Sequence, residues 1–80
     1  MNAKEAVAKR IVELCDECKM TVNAVANKAG ISPSTIYSML NYKSKNPGIV
    51  SLYNICYGFD ITLREFFNSD IFDEVEFEDD

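Results

Sequence analysis

The chain has 80 residues, a formal net charge of −5, three cysteines and no histidine. Its length fits one small domain, and the lack of histidine excludes most zinc-site patterns and the Ser-His and Cys-His catalytic pairs. The chain has no run of about 18 apolar residues and no apolar signal core at its start, so we expect a cytoplasmic protein without a membrane partner. The odd number of cysteines indicates reduced thiols. We expect no cofactor and no enzymatic activity.

The first three predicted helices follow one another closely. Apolar or small residues at intervals of three or four predict a first helix from Ala3 to Cys18. Thr21 is placed to cap a second helix, and Gly30 fits the left-handed residue that ends it, because glycine has no Cβ to clash. Ser32 then caps a third helix that begins with Pro33. Two helices joined by so few residues cross steeply, which is the geometry of a helix-turn-helix.

The rest of the chain predicts two more helices. Residues 41–48 are polar and end in Pro-Gly, which indicates a loop. A fourth helix follows, and we expect it to close at Gly58 to Asp60. Thr62 and Glu65 are spaced as a capping box for a short fifth helix. Before residue 70 the sequence contains no strand pattern, so the predicted fold class is all-α.

The charges are distributed unevenly along the chain. Residues 1–69, the predicted helix-turn-helix domain, hold all eight basic residues and six acidic ones. Residues 70–80, a predicted C-terminal tail, hold the other seven acidic residues and no basic one. No Asp or Glu occurs between Cys18 and Phe59, so the middle of the chain is purely cationic. Such a segment favours a polyanionic partner.

The third helix has an apolar face and an outward face. Ile36 and Met39 are expected to anchor it to the core. The outward face is then formed by Pro33, Ser34, Tyr37, Ser38 and Asn41. A helix presented convexly in this way is suited to insertion into the major groove of DNA.

Four stretches of the chain resemble phage-repressor-like (Xre/Cro-type) helix-turn-helix transcriptional regulators. They are RIVELCDECKMTVNAVANKAGIS, STIYSMLN, KSKNPGIVSL and FDITLREFF, within about residues 8–67. The resemblance implies a five-helix, lambda-repressor-like DNA-binding domain of bacterial or phage origin, with helices two and three as the helix-turn-helix. It also implies a repressor-like regulator that binds double-stranded DNA as a homodimer formed through its C-terminal helices. There is no room for a ligand domain, so no small-molecule ligand is expected.

The resemblance also assigns the DNA contacts. Base contacts are expected from Pro33, Ser34, Tyr37 and Ser38, and phosphate contacts from Thr21, Lys28, Asn41, Lys43 and Lys45. The alternatives are an ordinary solvated loop for Lys43 and Lys45, and a surface aromatic that covers the core for Tyr37.

Some positions depart from the resembling family. Val22 stands where the family has a phosphate-binding glutamine, and Asp60 replaces a common glycine after the fourth helix. The outward residues of the third helix are short or form single hydrogen bonds, so they lack the bidentate base contact that Arg or Gln makes. Cys15 and Leu40 stand where the family often has an Arg–Glu ion pair. We expect this apolar pair to be in contact.

Two groups of residues have more than one interpretation. Cys15 and Cys18, in the sequence CDEC, are interpreted as packing residues, with redox or metal chemistry as the alternative. A set of aromatic side chains is expected either to fill the core or to form a dimer interface; its members are Tyr53, Tyr57, Phe59, Phe66 and Phe67.

The tail is more than a solvated acidic segment, because it also carries apolar residues. We expect Ile71 and Phe72 to pack near Phe66 and Phe67, and residues 75–78 to be extended. One alternative function is a protein-interaction module on the same fold, antitoxin-like or anti-repressor, with the tail as its partner-binding or DNA-mimicking element. A second is a component of a larger complex that needs another protein for operator affinity.

Overall fold

The computed structural model describes residues 1–41 and 48–77. Within these ranges the chain forms five α-helices and a 3-10 helix, and the described residues contain no strand. The α-helices are α1 (Ala3–Cys18), α2 (Val22–Ala29), α3 (Pro33–Leu40), α4 (Ile49–Phe59) and α5 (Leu63–Phe67), and the 3-10 helix is Asp70–Glu74. The prediction of an all-α, five-helix domain is confirmed. In the part of the chain that the structure describes, no helix is long and apolar enough to cross a membrane.

The helix ends follow the local chemistry that the sequence indicates. The Thr21 hydroxyl oxygen accepts a hydrogen bond from a backbone N–H in the first turn of α2 at 3.1 Å. Thr62 and Glu65 form the predicted capping box of α5. Gly30 ends α2 in the left-handed region with φ of 72°, and Asp60 ends α4 there with φ of 62°. Asp tolerates this conformation better than most residues, which explains how it replaces glycine at the end of α4.

Gly58 lies inside α4 and serves packing rather than helix termination. α4 continues through Gly58 to Phe59, and Asp60 is its cap. A Cβ atom at Gly58 would lie 2.6 Å from the backbone oxygen of Val25 and 3.3 Å from the Cβ of Ala29. Since real Cβ atoms do not approach a backbone oxygen so closely, α2 and α4 reach their observed distance only because residue 58 has no side chain.

We expect Gly58→Ala to lower the free energy of unfolding by about 1–3 kcal/mol, because the new methyl group overpacks the contact between α2 and α4. Helix propensity alone predicts the opposite sign, a gain of up to about 1 kcal/mol. Urea denaturation followed by circular dichroism measures the difference. Gly48→Ala is the control for a methyl group without overpacking, because a Cβ at Gly48 meets no atom within 4 Å. Since Gly48 is the N-cap of α4, we expect this control to lose only the smaller free energy of a less favourable cap. A more stable Gly58→Ala variant would contradict the close packing of α2 on α4.

The core is built from apolar side chains of all five α-helices. The largest fully buried side chains are Phe66, Ile11, Ile36, Ile55, Val25 and Cys56. Phe59 is also buried, so two of the five aromatic residues singled out in the sequence fill the core. The other three, Tyr53, Tyr57 and Phe67, are exposed.

Arg10 is a buried charged residue that ties α1 to α5. The residue is 6% exposed, and each of its three side-chain nitrogens donates a hydrogen bond. Nε donates to the Phe66 carbonyl at 2.6 Å, Nη2 donates to the Glu65 carbonyl at 2.8 Å, and Nη1 donates to the Glu13 carboxylate. Both carbonyls lie in the last turn of α5. That of Glu65 also accepts the Asn68 N–H at 3.3 Å, and Arg10 supplies a further donor to each. Arg10 therefore satisfies the C-terminal end of α5 from a distant position in the sequence.

The beginning of the acidic tail packs on the helical domain. The Phe72 ring centroid lies 6.0 Å from that of Phe66 and 4.9 Å from that of Phe67, as predicted. Ile71 is half-buried. Residues 70–74, for which the sequence predicts no backbone conformation, form the 3-10 helix. Its start is capped by the Ser69 hydroxyl, which accepts a hydrogen bond from the Ile71 N–H at 3.3 Å.

The end of the described tail runs beside the start of α1. The Glu76 N–H donates to the Met1 carbonyl at 3.0 Å, and the Glu76 carboxylate accepts a hydrogen bond from the Met1 amine at 2.8 Å. Val75 has extended backbone angles, in agreement with the predicted extended segment. The described acidic residues of the tail are exposed, as expected. Residues 78–80 lie outside the described ranges, and the domain boundary after residue 69 stays a prediction.

Candidate nucleic-acid interface

The turn between α2 and α3 is as tight as the sequence predicts. Ala26 is fully buried, so its small side chain allows the two helices to approach. Gly30 takes the left-handed conformation, and the Ile31 N–H donates to the Ala26 carbonyl at 3.0 Å. Ile31 then packs against the core beneath the turn. Helices α2 and α3 thus form a helix-turn-helix unit.

The helix α3 presents the predicted outward face. Ile36 and Met39 are buried and anchor the helix, whereas Ser34, Tyr37 and Ser38 are exposed on it. The Tyr37 side chain is 54% exposed. This places three of the four predicted base-contacting side chains, Ser34, Tyr37 and Ser38, on one presented surface. Whether Tyr37 contacts DNA or only covers the core stays a prediction.

The first turn of α3 is held by a serine pair. The Ser32 hydroxyl oxygen accepts a hydrogen bond from the Ser34 N–H at 3.3 Å and lies 2.8 Å from the Ser34 hydroxyl. Pro33, between them, is half-buried at the first helical position. The Ser34 hydroxyl is therefore oriented by its neighbour.

The predicted phosphate-contacting residues lie at helix ends. Thr21 caps α2, Lys28 lies in its last turn, and Asn41 caps the C-terminal end of α3 with its N–H bonded to the Tyr37 carbonyl at 3.1 Å. All three are exposed. Lys43 and Lys45 lie outside the described residues, so their predicted contacts have no structural counterpart.

The charge on this unit is positive or neutral. Neither α2 nor α3 contains an acidic residue. Two exposed lysines flank α2: Lys19 precedes the helix, and Lys28 lies in its last turn. A surface without carboxylates avoids repulsion of a phosphate backbone, and its lysines attract it. The helix-turn-helix unit therefore has both the shape and the charge of a DNA-binding surface.

The two cysteines of the CDEC sequence occupy different environments. Cys15 is half-buried and packs against the core, whereas Cys18 is exposed. Burial raises the pKa of the Cys15 thiol, and the neighbouring Cys18 raises it further. A thiol with a raised pKa stays protonated at neutral pH and is a poor nucleophile, which favours packing for Cys15. Within residues 1–41 and 48–77, no group of three or more metal-ligating side chains is present.

Leu40, at the end of α3, packs toward α1. It is half-buried and lines a shallow pocket together with Ala8 and Val12 of α1. Leu40 and Cys15 both pack against the hydrophobic core. Their direct contact stays a prediction.

The outer side of α4 is an uncharged apolar surface, which we call the α4 stripe. It consists of Ile49, Val50, Tyr53 and Tyr57, whose exposed fractions lie between 55% and 70%. The helix contains no charged residue in its 11 positions. The aromatic content of α4 indicated a surface beyond the core, but Ile49 and Val50 were not recognised in the sequence as part of it.

Comparison with known proteins agrees with this geometry. The sequence profile of the Cro/C1-type HTH DNA-binding domain matches residues 10–70. The chain therefore belongs to the Cro/C1-type helix-turn-helix DNA-binding domain family, whose members are DNA-binding regulators.

Two solved structures have the same fold. Prophage Lp1 protein 11 is 32% identical with a TM-score of 0.79, over 94% of this chain and 100% of the other. A mutant of the restriction-modification controller protein C.Esp1396I is 25% identical with a TM-score of 0.76, over 92% of this chain and 94% of the other. No curated protein sequence matches the chain.

Proposed function

We propose that the chain is a sequence-specific transcriptional regulator that binds double-stranded DNA with α3 in the major groove. The observation that carries this proposal is the outward face of α3, where Ser34, Tyr37 and Ser38 are exposed on a helix anchored by buried apolar residues. Membership of a DNA-binding family supports it. A protein that covers its operator in this way excludes other proteins from the same DNA, so we propose that it acts as a repressor.

The roles of the DNA-contacting residues follow from their positions. Side chains on the outward face of α3 reach base edges; they are Pro33, Ser34, Tyr37 and Ser38. Phosphates are contacted by residues at the flanking helix ends, Thr21, Lys28 and Asn41, and by two lysines that follow α3 in the sequence, Lys43 and Lys45. Contacts of the second kind supply affinity for any sequence, whereas those of the first kind select the operator.

Lysines that neutralise phosphates make binding depend on salt. We expect the double substitution Lys43→Ala and Lys45→Ala to weaken binding to every duplex and to lower the slope of log affinity against log salt by about two, since each lysine releases about one counterion. Fluorescence anisotropy of a labelled random duplex, titrated at a series of salt concentrations, measures this slope.

The matched control removes two positive charges elsewhere. Lys9 and Arg64 are both exposed and lie outside the helix-turn-helix, so Lys9→Ala with Arg64→Ala gives the same net charge. An equal loss of slope in both double variants would contradict phosphate contacts by the loop. A wild-type chain that binds no duplex would favour the protein-interaction module with the acidic tail as its partner-binding element.

We also propose that the protein is a homodimer that associates through the α4 stripe and the neighbouring C-terminal helix α5. Two copies of a chain with net charge −5 repel each other, so association is least opposed where the surfaces that meet carry no charge. The α4 stripe meets this condition because α4 has no charged residue. Phe67 of α5, which is 44% exposed, adds apolar surface in the same C-terminal part of the fold. A two-fold dimer would present two copies of α3 to a two-fold related operator.

A charge placed in the α4 stripe tests this dimer. Val50 is 70% exposed, so Val50→Glu is expected to leave the melting temperature of the monomer unchanged but to shift the protein from dimer to monomer. Sedimentation equilibrium measures the association constant, for which we expect at least a tenfold loss when a carboxylate is desolvated without a partner. Val12→Glu, at an exposed valine on α1, is the control. Equal effects of the two substitutions would contradict an interface on α4.

A further inference from the structure

The outward face of α3 contains no side chain that can read guanine in the usual way. Guanine is recognised most often by Arg or Lys, whose donors bond its O6 and N7 atoms together. The sequence of α3, PSTIYSML, contains neither residue and also lacks the Asn or Gln that reads adenine bidentately. Asn41, which caps the end of the helix, is assigned to a phosphate contact. Hydrogen bonds from serine or tyrosine hydroxyls are single and discriminate weakly among bases. The main selectivity of α3 therefore requires another kind of contact.

Apolar side chains on this face can also make contacts that distinguish base pairs. Pro33 and Tyr37 are four positions apart, so their rings lie on the same side of the helix, one turn from each other. Tyr37 is 54% exposed, and Pro33 is half-buried with its ring at the start of the helix. In the major groove, the 5-methyl group of thymine is the apolar feature that a base pair presents.

The hydrogen bond between Ser32 and Ser34 lowers the gain from a base contact by one of the two hydroxyl groups. The two hydroxyl oxygens are 2.8 Å apart, so one of the hydroxyl groups donates to the other. A base that bonded the donating hydroxyl would have to replace an existing hydrogen bond, which gives little net free energy. Contact by Pro33 and Tyr37 meets no such competition.

We infer that α3 selects A·T base pairs by packing Pro33 and Tyr37 against thymine 5-methyl groups. This inference rests on the proposed function, because it assumes that α3 lies in the major groove. It adds the class of operator to that function: half-sites with thymines where α3 crosses the bases, and no guanine requirement there. Outside this footprint, phosphate contacts supply affinity and DNA shape supplies any selectivity.

Removal of the methyl group alone tests the inference. The operator is first obtained by selection from a random duplex pool, and each thymine under α3 is then replaced by deoxyuridine, which keeps base pairing but lacks the methyl. We expect about a fourfold loss of affinity for each contacted methyl, the change that corresponds to one methyl group withdrawn from an apolar contact. Deoxyuridine at thymines outside the α3 footprint is the control and should change nothing.

Substitutions at Tyr37 connect the methyl group to a side chain. Tyr37→Phe keeps the ring and should keep the preference for thymine over deoxyuridine. Tyr37→Ala removes the ring and should abolish that preference at the base it contacts. In a further duplex, 5-methylcytosine paired with guanine places a methyl at the same position in the groove, so it should bind more tightly than unmodified cytosine in that position.

The outcomes separate the inference from the proposed function. A selected operator with G·C pairs under α3, or equal affinities for the thymine and deoxyuridine duplexes, would overturn methyl recognition while DNA binding stands. A chain that binds no duplex in the selection would overturn both. Loss of affinity with deoxyuridine that persists in full in Tyr37→Ala would overturn the assignment to Tyr37.

Discussion

Replacement of Arg10 by methionine is expected to lower the free energy of unfolding by about 3 kcal/mol. The substitution keeps the apolar stem but removes charge-assisted hydrogen bonds, each worth about 1.5–3 kcal/mol. Two of them go to the carbonyl groups of Glu65 and Phe66 in the last turn of α5; without them the Glu65 carbonyl keeps the Asn68 N–H, and the Phe66 carbonyl loses the Arg10 donor. The third goes to Glu13, a carboxylate in α1 that is left uncompensated.

Chemical denaturation measures the effect, with two further variants for comparison. Arg10→Lys keeps the charge but lacks the planar arrangement of donors, so it should recover only part of the stability. Arg64 is exposed on α5, and Arg64→Met should change the stability by no more than about 0.5 kcal/mol. A loss below about 1 kcal/mol in Arg10→Met would contradict the role of Arg10 in closing α5, since surface substitutions have effects of that size.

Leu40→Glu is expected to destabilise the protein by about 3 kcal/mol, because it places a carboxylate where an apolar side chain packs on the core. Cys15→Arg, added to Leu40→Glu, should recover part of this loss by forming an ion pair across α1 and α3. Cys15→Arg alone should also destabilise. The favourable coupling appears in a double-mutant cycle measured by chemical denaturation. Additive losses would contradict the contact between the two positions.

The helix ends were predictable because their causes are local. Thr21, Gly30 and the pair Thr62 and Glu65 act within three or four residues of themselves, so the sequence around each contains the whole explanation. The outward face of α3 was predictable for a similar reason, since the period of the helix separates Ile36 from Tyr37. The structure confirms these predictions, whereas the DNA contacts of the α3 residues stay predictions.

The features that escaped prediction depend on distant parts of the chain. Arg10 bonds carbonyls 55 and 56 positions away, and nothing near Arg10 in the sequence indicates them. The sequence around Gly58 indicates the end of a helix, whereas the structure shows that the glycine allows the close approach of the Val25 backbone. The 3-10 helix of the tail forms where Phe72 meets the aromatic rings of α5. The sequence predicts this contact but not the 3-10 conformation of the backbone.

The α4 stripe was only partly predictable because both sides of α4 are apolar. Leu52 and Phe59 turn inward, whereas Val50 and Tyr53 turn outward. Hydrophobic periodicity identifies the buried side of a helix only when the other side is polar. In α4 the packing against the other helices determines which side is buried. The opposite side stays exposed although it is apolar.

Selection of bound sites from a random duplex pool, followed by footprinting of the enriched duplex, tests DNA recognition most directly. A homodimer with α3 of each protomer in the major groove should enrich two-fold related half-sites, with centres about 10 base pairs apart or at a multiple of that spacing. The protected bases should fall in the major groove of each half-site, and Tyr37→Ala should change the enriched bases there. Failure of the folded wild-type protein to enrich any sequence over repeated rounds would contradict sequence-specific DNA binding.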